Sequence, residues 1–127
     1  MLLMGSVVSL ANQMGVNTLV TFIAEYVAPY ARKCGFVMMS DLAFGGDFVY
    51  PVPSIRTHAM VLPDAVSLST AMPQHRQRLM SLRLRPSQSC VERPKQIDLD
   101  VSYELIVDPG MAQQYDRLNR WWRRVAA

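Results

Sequence analysis

At 127 residues the chain has room for one small domain and no room for two independent cores. Half of its residues are hydrophobic, too many for a disordered chain, yet no stretch approaches the ~20 apolar residues that span a bilayer. The formal charge of +3 is mild, and most arginines fall between Arg76 and Arg93 or in the last segment, which argues against a dense nucleic-acid-binding face. The opening Met-Leu-Leu-Met-Gly-Ser lacks the basic start of a secretory signal, so a cytoplasmic location is expected. Cys34 and Cys90 have no CxxC or His companion and are expected as reduced thiols, with no metal site.

In chain order, Leu2, Leu3, Val7, Val8, Leu10, Ala11 and Met14 recur at helical spacing, and Gly15 stops this first helix. Val16 to Ile23 is rich in β-branched residues and predicts a short buried strand. Ala24 to Cys34 returns to helical spacing. Pro29 is tolerable only in a first turn, which moves the helix start toward Val27, and Gly35 closes it. Phe36 to Met39 predicts a second strand, Asp41 to Asp47 a loop around Gly45-Gly46, Phe48 to Val52 an extended segment, and Ile55 to Leu62 a third strand. Pro63-Asp64 reads as a helix start leading into Ala65 to Ala71, followed by a helix from Pro73 to Leu84 that ends before Pro86. Leu99 to Val107 alternates in part and predicts a strand. Asp108-Pro109-Gly110 is a turn or cap, and Met111 to Val125 is a final helix. Helices that carry the chain from strand to strand imply an α/β fold with a partial mixed sheet and crossover helices. Residues 1–86 form the main unit, 87–98 a polar, proline-bounded linker, and 99–127 a strand followed by a basic, Trp-bearing helix.

Strand alternation places Arg56, His58 and Met60 on one face of the third strand, so Arg56 and His58 share an environment and can meet an anionic ligand together. His58 is a candidate base with Asp64 or Asp41 as its orienting partner, or else a half-buried structural histidine. Glu25, just after the first strand, is a second candidate base, or a carboxylate favoured by the helix dipole. The basic helix around Arg76 and Arg83 presents Leu79, Met80 and Leu82 inward and its arginines outward. It suits an acidic partner such as an acyl carrier protein or an anionic membrane surface. Arg120, Trp121, Trp122 and Arg123 combine stacking surface with charge and suit an interface.

Three stretches carry a family resemblance: Ala11-Asn12-Gln13-Met14-Gly15-Val16, the strand Leu19-Val20-Thr21-Phe22-Ile23, and Tyr30-Ala31-Arg32-Lys33-Cys34-Gly35-Phe36. From Leu2 to Leu62 the chain resembles the C-terminal half of the acetyltransferase (GNAT) fold, and more narrowly the acyl-homoserine-lactone (autoinducer) synthases and N-acyl amino acid synthases. There a helix leads into a strand, and a second helix ending in a basic pair, Gly and an aromatic residue feeds the next strand. The resemblance implies an acyltransferase that moves an acyl group from an acyl carrier protein or coenzyme A thioester to an amine, with no bound cofactor. It implies an acyl pocket lined by Thr21, Phe22, Val27 and Tyr30. The family's N-terminal half, which holds its catalytic residues, does not map onto this chain, so the catalytic residues are unknown. Completion by that half or self-association through an uncovered apolar edge is expected. The alternative is a non-catalytic interaction module that binds a partner protein or nucleic acid through the basic helix and the Trp-Arg tail.

Overall fold

The computed structural model describes residues 2–107 together with residues 117, 120, 121, 124 and 125. The chain order is α1 (Leu2–Leu10), β1 (Leu19–Ala24), a 3-10 turn (Glu25–Val27), α2 (Ala28–Lys33), β2 (Val37–Met38) and β3 (Asp47–Val49). Then come β4 (Arg56–Leu62), α3 (Pro73–Leu84), β5 (Ser87–Glu92), a second 3-10 turn (Pro94–Gln96) and β6 (Leu99–Glu104).

Strand β4 organises the first sheet. It pairs along its whole length with β1, from Leu19 opposite Leu62 to Ala24 opposite Thr57. Its other edge is shared between β2, opposite Val61 and Met60, and β3, opposite His58, Thr57 and Arg56. Every named pairing is antiparallel, so the expected partly parallel sheet is not formed. Helix α2 does return the chain so that β1 and β2 run in the same direction, but β4 inserts between them and turns both ladders antiparallel.

The period of two then separates two environments. Met60 and Leu62 of β4 enter the core beside Val8 and Ala11, Ala28 and Ala31, and Leu79, and Leu19, Ile23 and Met38 pack against it. The helices therefore cover one face of the sheet. The other face stays open, with Val20, Phe22 and Val37 exposed. Phe22 and Phe48 meet there edge to face, with centroids 5.6 Å apart, the geometry that aromatic quadrupoles favour.

Two glycines end helical segments in the left-handed conformation. Regular α1 stops at Leu10, short of the expected Met14, and the chain turns through residues 11–15 before Gly15. At Gly15 (φ 65°) the N–H of Val16 bonds the carbonyl of Ala11 at 3.0 Å. At Gly35 (φ 103°) the N–H of Phe36 bonds the carbonyl of Ala31 at 3.0 Å and that of Gly35 bonds Arg32.

Two further expectations are corrected. The segment 65–71 is a turn and not a helix: Asp64 caps a single turn through the N–H groups of Val66 and Ser67, and Leu68 then leaves the helical region at φ 55°. The expected linker 87–98 contains β5, which forms a hairpin with β6 from Ser87 opposite Glu104 to Glu92 opposite Leu99. Its alternation is of polar residues against half-buried ones, which a search for apolar periodicity passes over. The hairpin docks on the helices through Arg78, which bridges to Glu92 and lies 3.3 Å from the Tyr103 hydroxyl. The Gln13 side chain adds bonds to the carbonyl of Leu105 and the N–H of Val107. Arg117, Arg120, Trp121, Arg124 and Val125 are helical. The rest of the expected C-terminal helix and the turn at 108–110 lie outside the described residues. Among the described residues no helix is long and apolar enough to cross a membrane.

Candidate functional site

Two features can hold a ligand, one apolar and one polar, and β1 runs between them. The apolar one is a groove between α1 and β1, lined by Leu3, Met4, Val7 and Val8 from the helix, Leu19, Val20 and Thr21 from the strand, and Phe36. It exists because α1 is apolar around most of its circumference: Val8 enters the core, while Leu3 and Val7 remain exposed on the groove side. On the same side β1 is the outermost strand. Among the described residues only β4 pairs with it, so its alternate backbone N–H and C=O groups are open along one edge.

Of the four residues expected in an acyl pocket, only Thr21 lines this groove. Phe22 points to the opposite face, as adjacent residues of a strand must, and Val27 and Tyr30 lie on the 3-10 turn and α2. The helix residues of the groove were readable as core positions only. The signal that separates them is the pair Leu3 and Val7, four apart, on a side of α1 that the core does not use.

The polar feature gathers Glu25, Asp47, Arg56 and His58 where β1, β3 and β4 come together. His58 and Asp47 are direct cross-strand partners, and Ile23 flanks His58 from the other strand. The His58 side chain is only 10% exposed. Its Nδ1 lies 3.4 Å from Asp47 Oδ1 without forming a hydrogen bond, and its Nε2 lies 3.9 Å from Glu25 Oε1. The Arg56 Nε donates to both Asp47 oxygens, at 3.1 and 2.9 Å, and its Nη1 stands 3.7 Å from Glu25. The hydrogen bonds and charge of Arg56 hold the Asp47 carboxyl below the usual carboxylate range. The three expected polar residues Glu25, Arg56 and His58 are thus brought together. The carboxylate beside the ring is Asp47, and neither Asp64 nor Asp41 stands there. Asp47 follows Gly45-Gly46 in what reads as a loop, and only its pairing with β4 brings it to His58. Among the described residues no group of three or more His, Cys, Asp and Glu could hold a metal ion.

The expected partner surface is rearranged. Arg76 is exposed but donates to the carbonyl of Ser67 at 2.8 Å. Arg83 is turned inward, donating to Val66, Val8 and Ala65 carbonyls at 2.6, 2.9 and 2.5 Å. It ties α3 to α1 and to the turn after β4, so the expectation that it faces a partner is withdrawn. Arg120 and Trp121 lie on the C-terminal helical residues beside Arg117 and Arg124, with Trp121 exposed, while Trp122 and Arg123 fall outside the described residues.

A small cavity between α1, α3 and the hairpin is lined by residues that include Cys34, His75, Arg78 and Tyr103. Burial pushes the Cys34 thiol up and pulls His75 down, so both favour their neutral forms and the thiol is a poor nucleophile. Both cysteines are free.

No family model matches the chain, no curated protein matches it, and no solved structure matches it.

Proposed function

We propose that the chain supplies the acyl-binding part of an N-acyltransferase site of the autoinducer-synthase or N-acyl amino acid synthase kind, which takes an acyl group from an acyl carrier protein or coenzyme A thioester and passes it to an amine. The observation that carries this reading is the groove between α1 and the open edge of β1. An alkyl chain needs apolar walls, which Leu3, Met4, Val7, Leu19 and Val20 supply. The amide-bearing arm of a carrier thioester needs hydrogen-bond partners in an extended row, which the unpaired edge of β1 supplies. The succession α1, β1, α2, β2, with α2 running into Arg32-Lys33-Cys34-Gly35-Phe36, is the element order that the proposed reading calls for.

The test is calorimetric titration with a series of acyl-pantetheines from six to twelve carbons. Burial of each methylene contributes about 0.8 kcal/mol, so affinity should rise about fourfold per carbon until the groove is filled. Leu3→Glu and Val7→Glu should each weaken binding at least tenfold, while Phe22→Glu on the opposite face should leave it unchanged. Affinity independent of chain length, or loss with Phe22→Glu alone, would contradict the assignment.

The second reading, a non-catalytic interaction module, draws support from the open outer sheet face at Phe22 and Val37 and from exposed Trp121. It requires a partner protein or nucleic acid whose binding ignores the groove variants, with a steep salt dependence in the nucleic-acid case.

A further inference from the structure

The Glu25–Asp47–Arg56–His58 cluster lies at the far end of β1 from the groove, so a ligand extended along the strand edge can reach both. Thr21 and Glu25 are four residues apart, about 13 Å in extended chain at ~3.3 Å per residue. Within the cluster the charges are unequal. Two carboxylates face one guanidinium, and that guanidinium is already committed to Asp47 through its Nε. Glu25 is 54% exposed, and its contacts to Arg56 and His58, at 3.7 and 3.9 Å, are longer than hydrogen bonds. With two carboxylates against one guanidinium, the site keeps an excess of negative charge, presented to solvent by the half-exposed Glu25.

The imidazole is set for one role. Its Nδ1 is buried, without a hydrogen-bond partner, and 3.4 Å from Asp47 Oδ1, and a carboxylate so close favours the proton on Nδ1 and leaves Nε2 as the acceptor. Nε2 and Glu25 Oε1 are then two acceptors 3.9 Å apart. A single –NH3+ group bridges such a span with two ordinary N–H donations of about 2.9 Å.

We propose that this cluster is the amine-acceptor site: Glu25 and His58 Nε2 together bind a primary ammonium, Arg56 holds Asp47 beside the ring, and His58 removes the protons that must leave the nucleophile. The proposal rests on the acyl-transfer reading for its chemistry, while the ammonium site itself stands on the geometry alone. In the step, the ammonium passes one proton to Nε2 and on to water. The free amine attacks the thioester carbonyl, and the C–N bond forms. The resulting adduct gives a second proton to Nε2, the C–S bond breaks, and the leaving thiolate takes that proton from the imidazolium. The products are an amide, a thiol and one proton released to solvent, so no oxidant or further reactant is needed.

The chain contains two histidines, which makes the test direct. Long-range 1H–15N spectra of the full chain, titrated with n-butylamine at pH 7.5, report on both rings. The expected result is a saturable shift of the His58 Nε2 resonance, no shift of His75, and no response to 1-butanol, which has the same chain and no charge. Glu25→Gln removes one charge from an exposed side chain, and should weaken the amine response at least fivefold while acyl-pantetheine binding is kept. An equal response to the alcohol, a response confined to His75, or an unchanged affinity in Glu25→Gln would overturn the site. If n-butylamine binds as described but no acyl-pantetheine binds the wild-type chain, the ammonium site holds and the acyl-transfer reading fails.

Discussion

Asp64 accepts from the N–H groups of Val66 and Ser67, at 3.2 and 2.9 Å, from the Ser69 hydroxyl at 2.8 Å, and from the Ser67 hydroxyl. Donors of this kind favour the charged carboxylate, and they hold its pKa far below the usual range. A carboxylate depressed in the folded state stabilises the fold above its unfolded pKa of 3.8, and that contribution fades as pH falls below this value toward the folded one. Asp64→Asn should therefore lower stability at pH 7 and make the loss between pH 4 and pH 2 shallower, the two proteins converging at the acid end. Urea unfolding at pH 7, 4 and 2 checks this, and parallel stability curves would contradict it. At the same scale, the polar cluster was half legible in the sequence. Alternation along β4 places Arg56 beside His58, and Glu25 ends the neighbouring strand. Asp47 was not legible, because a carboxylate after Gly45-Gly46 looks like loop solvation until strand pairing is known. Arg83 misled for a related reason: spacing sorts a helix into faces but does not reveal three carbonyls waiting beside one of them.

The junction of α2 and β2 depends on Gly35 twice over. Its φ of 103° disfavours any side chain, and a Cβ there would stand 2.7 Å from the Thr70 hydroxyl and 2.9 Å from the Ala71 nitrogen. The Thr70 hydroxyl in turn donates to the Gly35 carbonyl at 2.6 Å, so the close approach is also a tie between the helix end and the 64–71 turn. Gly35→Ala combines backbone strain with overpacking and should cost about 3 kcal/mol, read as a drop in the urea midpoint with an unchanged slope. A change under about 0.5 kcal/mol, the range of surface substitutions, would show that the segment relaxes freely. Elements with strong local punctuation were legible in the sequence. Pro73 and Pro86 bracket α3, Gly15 and Gly35 close helical segments, and Ile55 to Leu62 reads as a strand where β4 runs from Arg56 to Leu62. Elements decided by long-range partners were not. β5 is polar and exists through β6, and the ladders are antiparallel because β4, late in the sequence, returns between two strands that a helix had already set parallel.

For the whole molecule, one sheet face is closed by three helices and the other is not, and β1 ends the sheet with an open edge beside an exposed side of α1. The groove and the open strand edge together favour a ligand that is apolar at one end and amide-bearing along its length, and the charged cluster at the end of β1 favours an amine. On the proposed reading they form a track along one strand on which an acyl thioester and an ammonium meet.

The most direct measurement is where an acyl chain lies on the molecule. An acyl-pantetheine bearing a nitroxide near its methyl end, added to the isotopically labelled chain, broadens the NMR signals of nearby groups. The account predicts selective broadening of the Leu3, Val7, Leu19 and Thr21 signals, relieved by excess unlabelled acyl-pantetheine. Broadening at Phe22, Val37 and Phe48 on the outer face, or none that the unlabelled compound relieves, would contradict it.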